Sequence, residues 1–180
     1  MKLGLTLLRM IVGALFFGHG TQKLFGWFGG HGIEGTAGFF ETIGLKPGRK
    51  HATAAGAAEA GGGVLVALGF LTPAAAASLI GVMSTAIRKV HGKNGPWVTE
   101  GGYEYNLALI AIMVALADVG PGDVSLDHAL GIEVKGPLVA LLALAAGIGG
   151  GLALTAGSQD TEPAPPPTDT PEPSEATAAV

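Results

Sequence analysis

The chain has 180 residues, 48% of them hydrophobic and only 13% charged, with a mean hydropathy of +0.48 and a formal net charge of −4. A soluble domain averages about 25% charged residues, so this composition argues against one, and the acidic balance without a basic stripe argues against a nucleic-acid partner. The absence of cysteine excludes disulfides, thiol nucleophiles and cysteine-ligated iron–sulfur clusters on this chain.

In chain order, five apolar segments can be read: Leu3–Phe25, 53–71, 74–90, 103–119 and 137–156. Crossing a bilayer takes about 20 residues, within a range of about 17–25, so all five are expected to span. Lys2 and Arg9 ahead of an apolar run also resemble the start of a signal peptide. However, Arg9 interrupts that run, and Gly18-His19-Gly20 matches an Ala-x-Ala cleavage signal poorly. The first segment is therefore expected to be an uncleaved helix. Between the first two segments, Trp27 to Gly32 is Gly-rich, and residues 35–45 read as a short amphipathic helix carrying Phe39, Phe40, Ile43 and Leu45. Such a helix lies in the membrane interface or re-enters as a cap on the bundle. Thr72-Pro73 makes a tight hairpin between the second and third segments, because proline disfavours helix in the residue before it and suits the first turn after it. Gly120-Pro121-Gly122-Asp123 ends the fourth segment with turn residues.

The expected architecture is all-α: an integral membrane four-helix bundle over residues 1–128, a linker and fifth C-terminal transmembrane helix over 129–157, and a disordered Pro-rich acidic tail over 158–180. The tail cannot bury enough apolar area to fold. Lys23, Lys46, Arg49, Lys50, Arg88, Lys89 and Lys93 flank one side of the bundle, against Lys2, Arg9 and Lys135 on the other. Seven against three places the loops after the first and third segments in the cytoplasm.

Ionisable groups inside membrane-length helices cost roughly 2.5–3.5 kcal/mol on insertion scales and usually face a bundle interior. His19 lies six residues from the end of the first segment and Glu59 six residues into the second, so both are expected at one membrane level, about 9 Å inside the same surface. Gln22 and Lys23 share or adjoin the face of His19, His91 ends the third segment on that side, and Glu104 opens the fourth. Three readings stay open. Glu59 pairs with Lys23 or His19 as a polar lock. Alternatively, Glu59 and a histidine handle protons or hold a small polar molecule, with His19 as proton partner and Gln22, Lys23, His91 and Glu104 as binding groups. In the third, His19 and His91 ligate haem or a metal; no His-x3-His or Glu-x2-His pair on one helix supports that reading, and no metal is expected. Arg9, about six residues in from the other surface, is expected to meet Asp118 or the carbonyls near Thr72-Pro73, or to snorkel; it too is counted as a binding candidate.

These residues resemble the DoxX family of small bacterial and archaeal membrane proteins over roughly residues 3–127. The resemblance rests on Arg9 and Gly13; on His19-Gly20, Gln22-Lys23-Leu24-Phe25-Gly26; and on Glu59, Gly62-Gly63, Leu65, Leu68-Gly69 and Leu71-Thr72-Pro73. It continues through Met83, Ala86-Ile87, His91, Gly101-Gly102, Glu104-Tyr105-Asn106, Gly120-Pro121-Gly122 and Ser125-Leu126-Asp127. It implies a four-helix core in the cytoplasmic membrane, similarity to the DoxD subunit of thiosulfate:quinone oxidoreductase, and membership of assemblies that manage oxidative stress and thiol balance. The expected function is thus a membrane component of a quinone-linked or redox-protective oxidoreductase system, with quinone as the candidate cofactor, the lipid bilayer as one partner and soluble redox enzymes as others. A small carrier or proton-coupled permease, and a non-catalytic scaffold for soluble enzymes, are the alternatives.

Overall fold

The computed structural model describes residues 3–156, so the expected tail over 158–180 lies outside the described residues. The first helix, α1 (Leu3–Phe25), is followed by a tight turn at Trp27–Gly29 and by α2 (Gly32–Thr42). Two longer helices, α3 (Gly48–Leu68) and α4 (Thr72–Ala86), form an antiparallel hairpin. A single π turn, Ile87–His91, extends α4, and short turns lead to α5 (Glu104–Val119). A one-turn helix, α6 (Leu126–Ala129), precedes α7 (Pro137–Thr155). No strand occurs among the described residues.

Among the described residues two helices, α1 and α7, are long and apolar enough to cross a membrane. Their outer faces carry exposed Leu3, Leu7, Ile11 and Leu15, and Leu138, Leu141 and Leu142. Water would penalise such stripes. The helix boundaries follow local chemistry. Pro47, in extended conformation, sets the start of α3 at Gly48, earlier than the apolar run suggests. Glu59 therefore sits eleven residues into its helix, deeper than the six read from the apolar pattern. At the other end, Gly69 stops α3 in the left-handed conformation (φ 62°), which glycine adopts without a Cβ clash. Pro73 opens α4, where its missing N–H leaves nothing unsatisfied.

Glycines set how closely α1 and α3 approach. A Cβ placed on Gly13 would meet the Gly63 carbonyl at 2.5 Å, and one on Gly63 would meet the Gly13 carbonyl at 2.6 Å. One turn-pair along, Gly20 faces Gly56 in the same way, its Cβ 2.6 Å from the Gly56 carbonyl. The two backbones are in direct contact, as small-residue interfaces allow. On the far side of the hairpin, α4 packs on α5 and α7, and the buried core runs from Val12 and Phe16 through Val66, Leu79 and Ile80 to Met113 and Leu116. Gly81 of α4 meets Gly147 and Gly151 of α7, where a Cβ would come within 3.1 Å of the Gly147 carbonyl.

The closing turn after α5 folds back over the α3–α4 hairpin. Ser125 caps α6, its hydroxyl accepting the His128 N–H at 3.2 Å. Asp127, buried, accepts the backbone N–H groups of Leu71 (2.7 Å) and Thr72 (3.0 Å) and the Thr72 hydroxyl (2.7 Å). It thereby supplies the cap for α4 from another part of the chain. Buried Arg9 donates through Nη2 to the Val124 carbonyl beside this turn. The expected partner Asp118 is elsewhere: it borders an apolar groove of about 900 Å³ between α4, α5 and α7. The closing turn, rather than the end of α5, is what reaches Arg9.

Candidate functional site

The close contact of α1 with α3 places Lys23 against Glu59. The Lys23 ammonium is 2.5 Å from Glu59 Oε2, with the carboxylate side chain 4% exposed and the lysine 25% exposed. A bare ammonium–carboxylate pair out of water holds only when the charges neutralise each other. The pair stands between two cavities. The smaller, about 290 Å³, is enclosed by α1, α3, α4 and α5 and lined by His19, Lys23, Glu59, His91, Tyr105 and Asn106 together with apolar neighbours. The larger, about 460 Å³, lies among α2, α3, α4 and α7, with Lys23, Glu59 and His91 again in its wall.

His91 reaches both cavities from the π turn. Such turns are rare and recur where a helix must present a side chain off its regular phase. Its Nδ1 is 2.8 Å from the Gly101 carbonyl. A carbonyl only accepts, so Nδ1 carries the hydrogen, and Nε2 is left as the atom that can meet a ligand. The Gly101 carbonyl also receives the Asn94 amide at 3.1 Å, which ties the loop before α5 to this imidazole.

Four of the residues read from the sequence therefore share the smaller cavity: His19, Lys23, Glu59 and His91. The others take different places. Gln22 donates to the Phe28 carbonyl at 3.3 Å and holds the turn after α1. Glu104 accepts the Val98 N–H at 2.8 Å and organises the loop before its own helix. Neither lines a cavity beside Glu59. Arg9 sits at the opposite end, beside the closing turn. Asn106 is an addition: it is buried, lines the smaller cavity and donates to Met83 Sδ at 3.4 Å. Its signal was a single amide in the first turn of α5, outranked in the sequence by the charged Glu104. Among the described residues no three His, Asp or Glu side chains converge on a point that could hold a metal ion.

Chemically, the arrangement offers a carboxylate and an ammonium in contact, two imidazoles and a carboxamide around one small cavity. It can bind a compact polar group with both donors and acceptors, and it contains groups able to pass protons.

Comparison with known proteins agrees with the motif pattern. The DoxX family profile matches residues 4–92. A protein of Bacillus subtilis (strain 168) named "Putative oxidoreductase CatD" is 36% identical over 119 residues, covering 64% of this chain and 79% of that protein. No solved structure matches the chain. With most of that relative covered at this identity and the family profile matched through α1, α3 and α4, the chain belongs to the membrane-associated DoxX family.

Proposed function

We propose that this chain is a multi-pass component of the cytoplasmic membrane that binds a quinone headgroup at the Lys23–Glu59 pair, within a redox or oxidative-stress-protective oxidoreductase system. In this reading α1, α3, α4 and α5 form a four-helix membrane bundle and α7 is a fifth span. The loops after α1 and α4 face the cytoplasm. The observation that carries the reading is the buried ion pair shared by two cavities, with His19, His91 and Asn106 around the smaller one. A headgroup carbonyl would take hydrogen bonds from Lys23 and the Asn106 amide, and a quinol hydroxyl would donate to His91 Nε2. Glu59 and His19 would pass the protons that accompany electron transfer. With no cysteine on this chain, thiol chemistry would belong to a soluble partner. The name of the Bacillus relative is in keeping with a redox role.

Native mass spectrometry of the protein released from its own membranes tests the reading. A co-purifying lipid-soluble quinone, lost from Glu59→Gln, is the expected result. Protein carrying no such molecule, with no quinone taken up on titration, would overturn it.

The second reading, a proton-coupled carrier, draws on the same pair standing between two separate cavities. Substrate-driven proton flux in proteoliposomes, abolished by Glu59→Gln, would favour it over the redox role.

A further inference from the structure

The larger cavity has a graded wall. Its inner end holds Glu59, which is 3% exposed, while its rim holds Phe39 of α2 and Leu154 of α7, which are 48% and 60% exposed. Between them the lining is mostly small or apolar, with Ala54, Ala55 and Ala58 of α3 on one side and Ala146 and Gly150 of α7 on the other, and the half-buried His51 and Lys89 also enter the wall. The opening therefore lies between an amphipathic helix and an apolar helix long enough to cross a membrane. In the membrane placement proposed above it would open toward lipid. The helix forming its outer wall, α7, lies beyond the family match at residues 4–92.

Resting on the headgroup site argued above, we propose that this cavity is the tail channel of that site, and that α7 makes the ligand a long-tailed, bilayer-borne quinone rather than a water-soluble one. The buried ion pair is at the inner end, and the exposed Phe39 and Leu154 are at the mouth. An occupant must bring a compact polar head in first and trail its apolar part outward. A phospholipid has the opposite requirement: its bulky charged head must stay in the interface, which would leave only acyl chain against Lys23 and Glu59. A neutral head on an isoprenoid or alkyl tail fits both ends. At about 460 Å³ the channel is within the usual range of small-molecule sites, and too small for a peptide helix.

Two adjacent glycines of α7 allow a direct test. A Cβ at either Gly149 or Gly150 meets nothing within 4 Å, so a side chain can start from either position without meeting a neighbouring helix. Gly150 lines the channel and Gly149 does not. Equilibrium binding is measured in nanodiscs of one lipid composition for wild type, Gly150→Phe and Gly149→Phe. The probes are a benzoquinone with a long alkyl tail and the same benzoquinone without it. The tailed probe should bind wild type and Gly149→Phe alike, and Gly150→Phe about tenfold or more weakly, because several buried methylenes are displaced. The tail-less probe should bind all three equally. Equal binding of the tailed probe to Gly150→Phe and wild type, with the tail-less probe still bound, would overturn the channel and leave the headgroup site standing. Failure of both probes to bind wild type would overturn the headgroup reading and the channel with it.

Discussion

Lys23 and Glu59 meet at 2.5 Å because the glycine faces of α1 and α3 bring two helix backbones into contact, one turn from the pair at Gly20 and Gly56. The carboxylate is enclosed while the ammonium keeps one edge open. Each charge depends on the other. Lys23→Met leaves Glu59 without its cation and should destabilise the fold in detergent by about 3 kcal/mol, the lower end for breaking a buried pair. The double variant Lys23→Met with Glu59→Gln should recover part of that loss. Chemical-denaturant melts of wild type, Lys23→Met, Glu59→Gln and the double variant check the coupling; additive losses would show that the pair does not interact.

The glycine contact itself makes a sharper stability prediction. Gly63→Leu drives a side chain into the Gly13 carbonyl and the Phe17 backbone, and should cost about 3 kcal/mol or prevent folding. Gly61→Leu, two residues away with open space around its Cβ, should melt like wild type. Thermal unfolding of both variants in the same detergent decides this, and equal melting temperatures would mean α1 and α3 do not pack as described.

At the opposite end, Asp127 satisfies two backbone donors and a hydroxyl at the start of α4. Asp127→Ala should destabilise by about 1–3 kcal/mol, the usual loss when buried donors are left unpaired. Ser125→Ala, which removes the α6 cap and the hydroxyl's bond to the Gly122 carbonyl, should cost about 1 kcal/mol. Quinone affinity of the folded fraction should be unchanged in both, because this turn and Arg9 lie away from Glu59. A loss of affinity larger than the loss of folded protein would bring Arg9 back into the site.

The proposed topology rests on the distribution of Lys and Arg. Lys50→Cys, on an exposed position near the start of α3, should resist impermeant thiol reagents added outside cells, and Val124→Cys, exposed in the closing turn, should react. The reverse labelling would mean that the cations gathered around the site had biased the count.

Much of this arrangement is legible in the sequence. Helical spacing placed His19 and Lys23 on adjoining faces, and the hairpin at Thr72-Pro73 returned the chain antiparallel. What could not be read was set by irregular backbone. For Arg9 the sequence leaves Asp118, the carbonyls near Thr72-Pro73 and snorkelling open; its actual neighbourhood is made by a turn that carries Val124 and Asp127 back over the hairpin, and no periodicity encodes that. Gln22 and Glu104 stood at the right height but are bound to the loops beside them. The π turn shifts His91 by one residue relative to a regular helix, a change that sequence patterns do not signal. Asn106 was outweighed by the charge next to it, although an uncharged amide is cheaper to bury and therefore better suited to a cavity wall.

Glu59→Gln separates a ligand site from a mere helix lock most directly, since it keeps the side-chain shape and removes the charge. The measurement is equilibrium quinone binding to folded Glu59→Gln in nanodiscs, beside wild type. The account predicts affinity lower by about 10–100-fold, the equivalent of losing a hydrogen-bonded charge of about 1.5–3 kcal/mol. Wild-type affinity in the folded variant, with only its melting temperature reduced, would contradict the account and make the Lys23–Glu59 pair a fastener between α1 and α3.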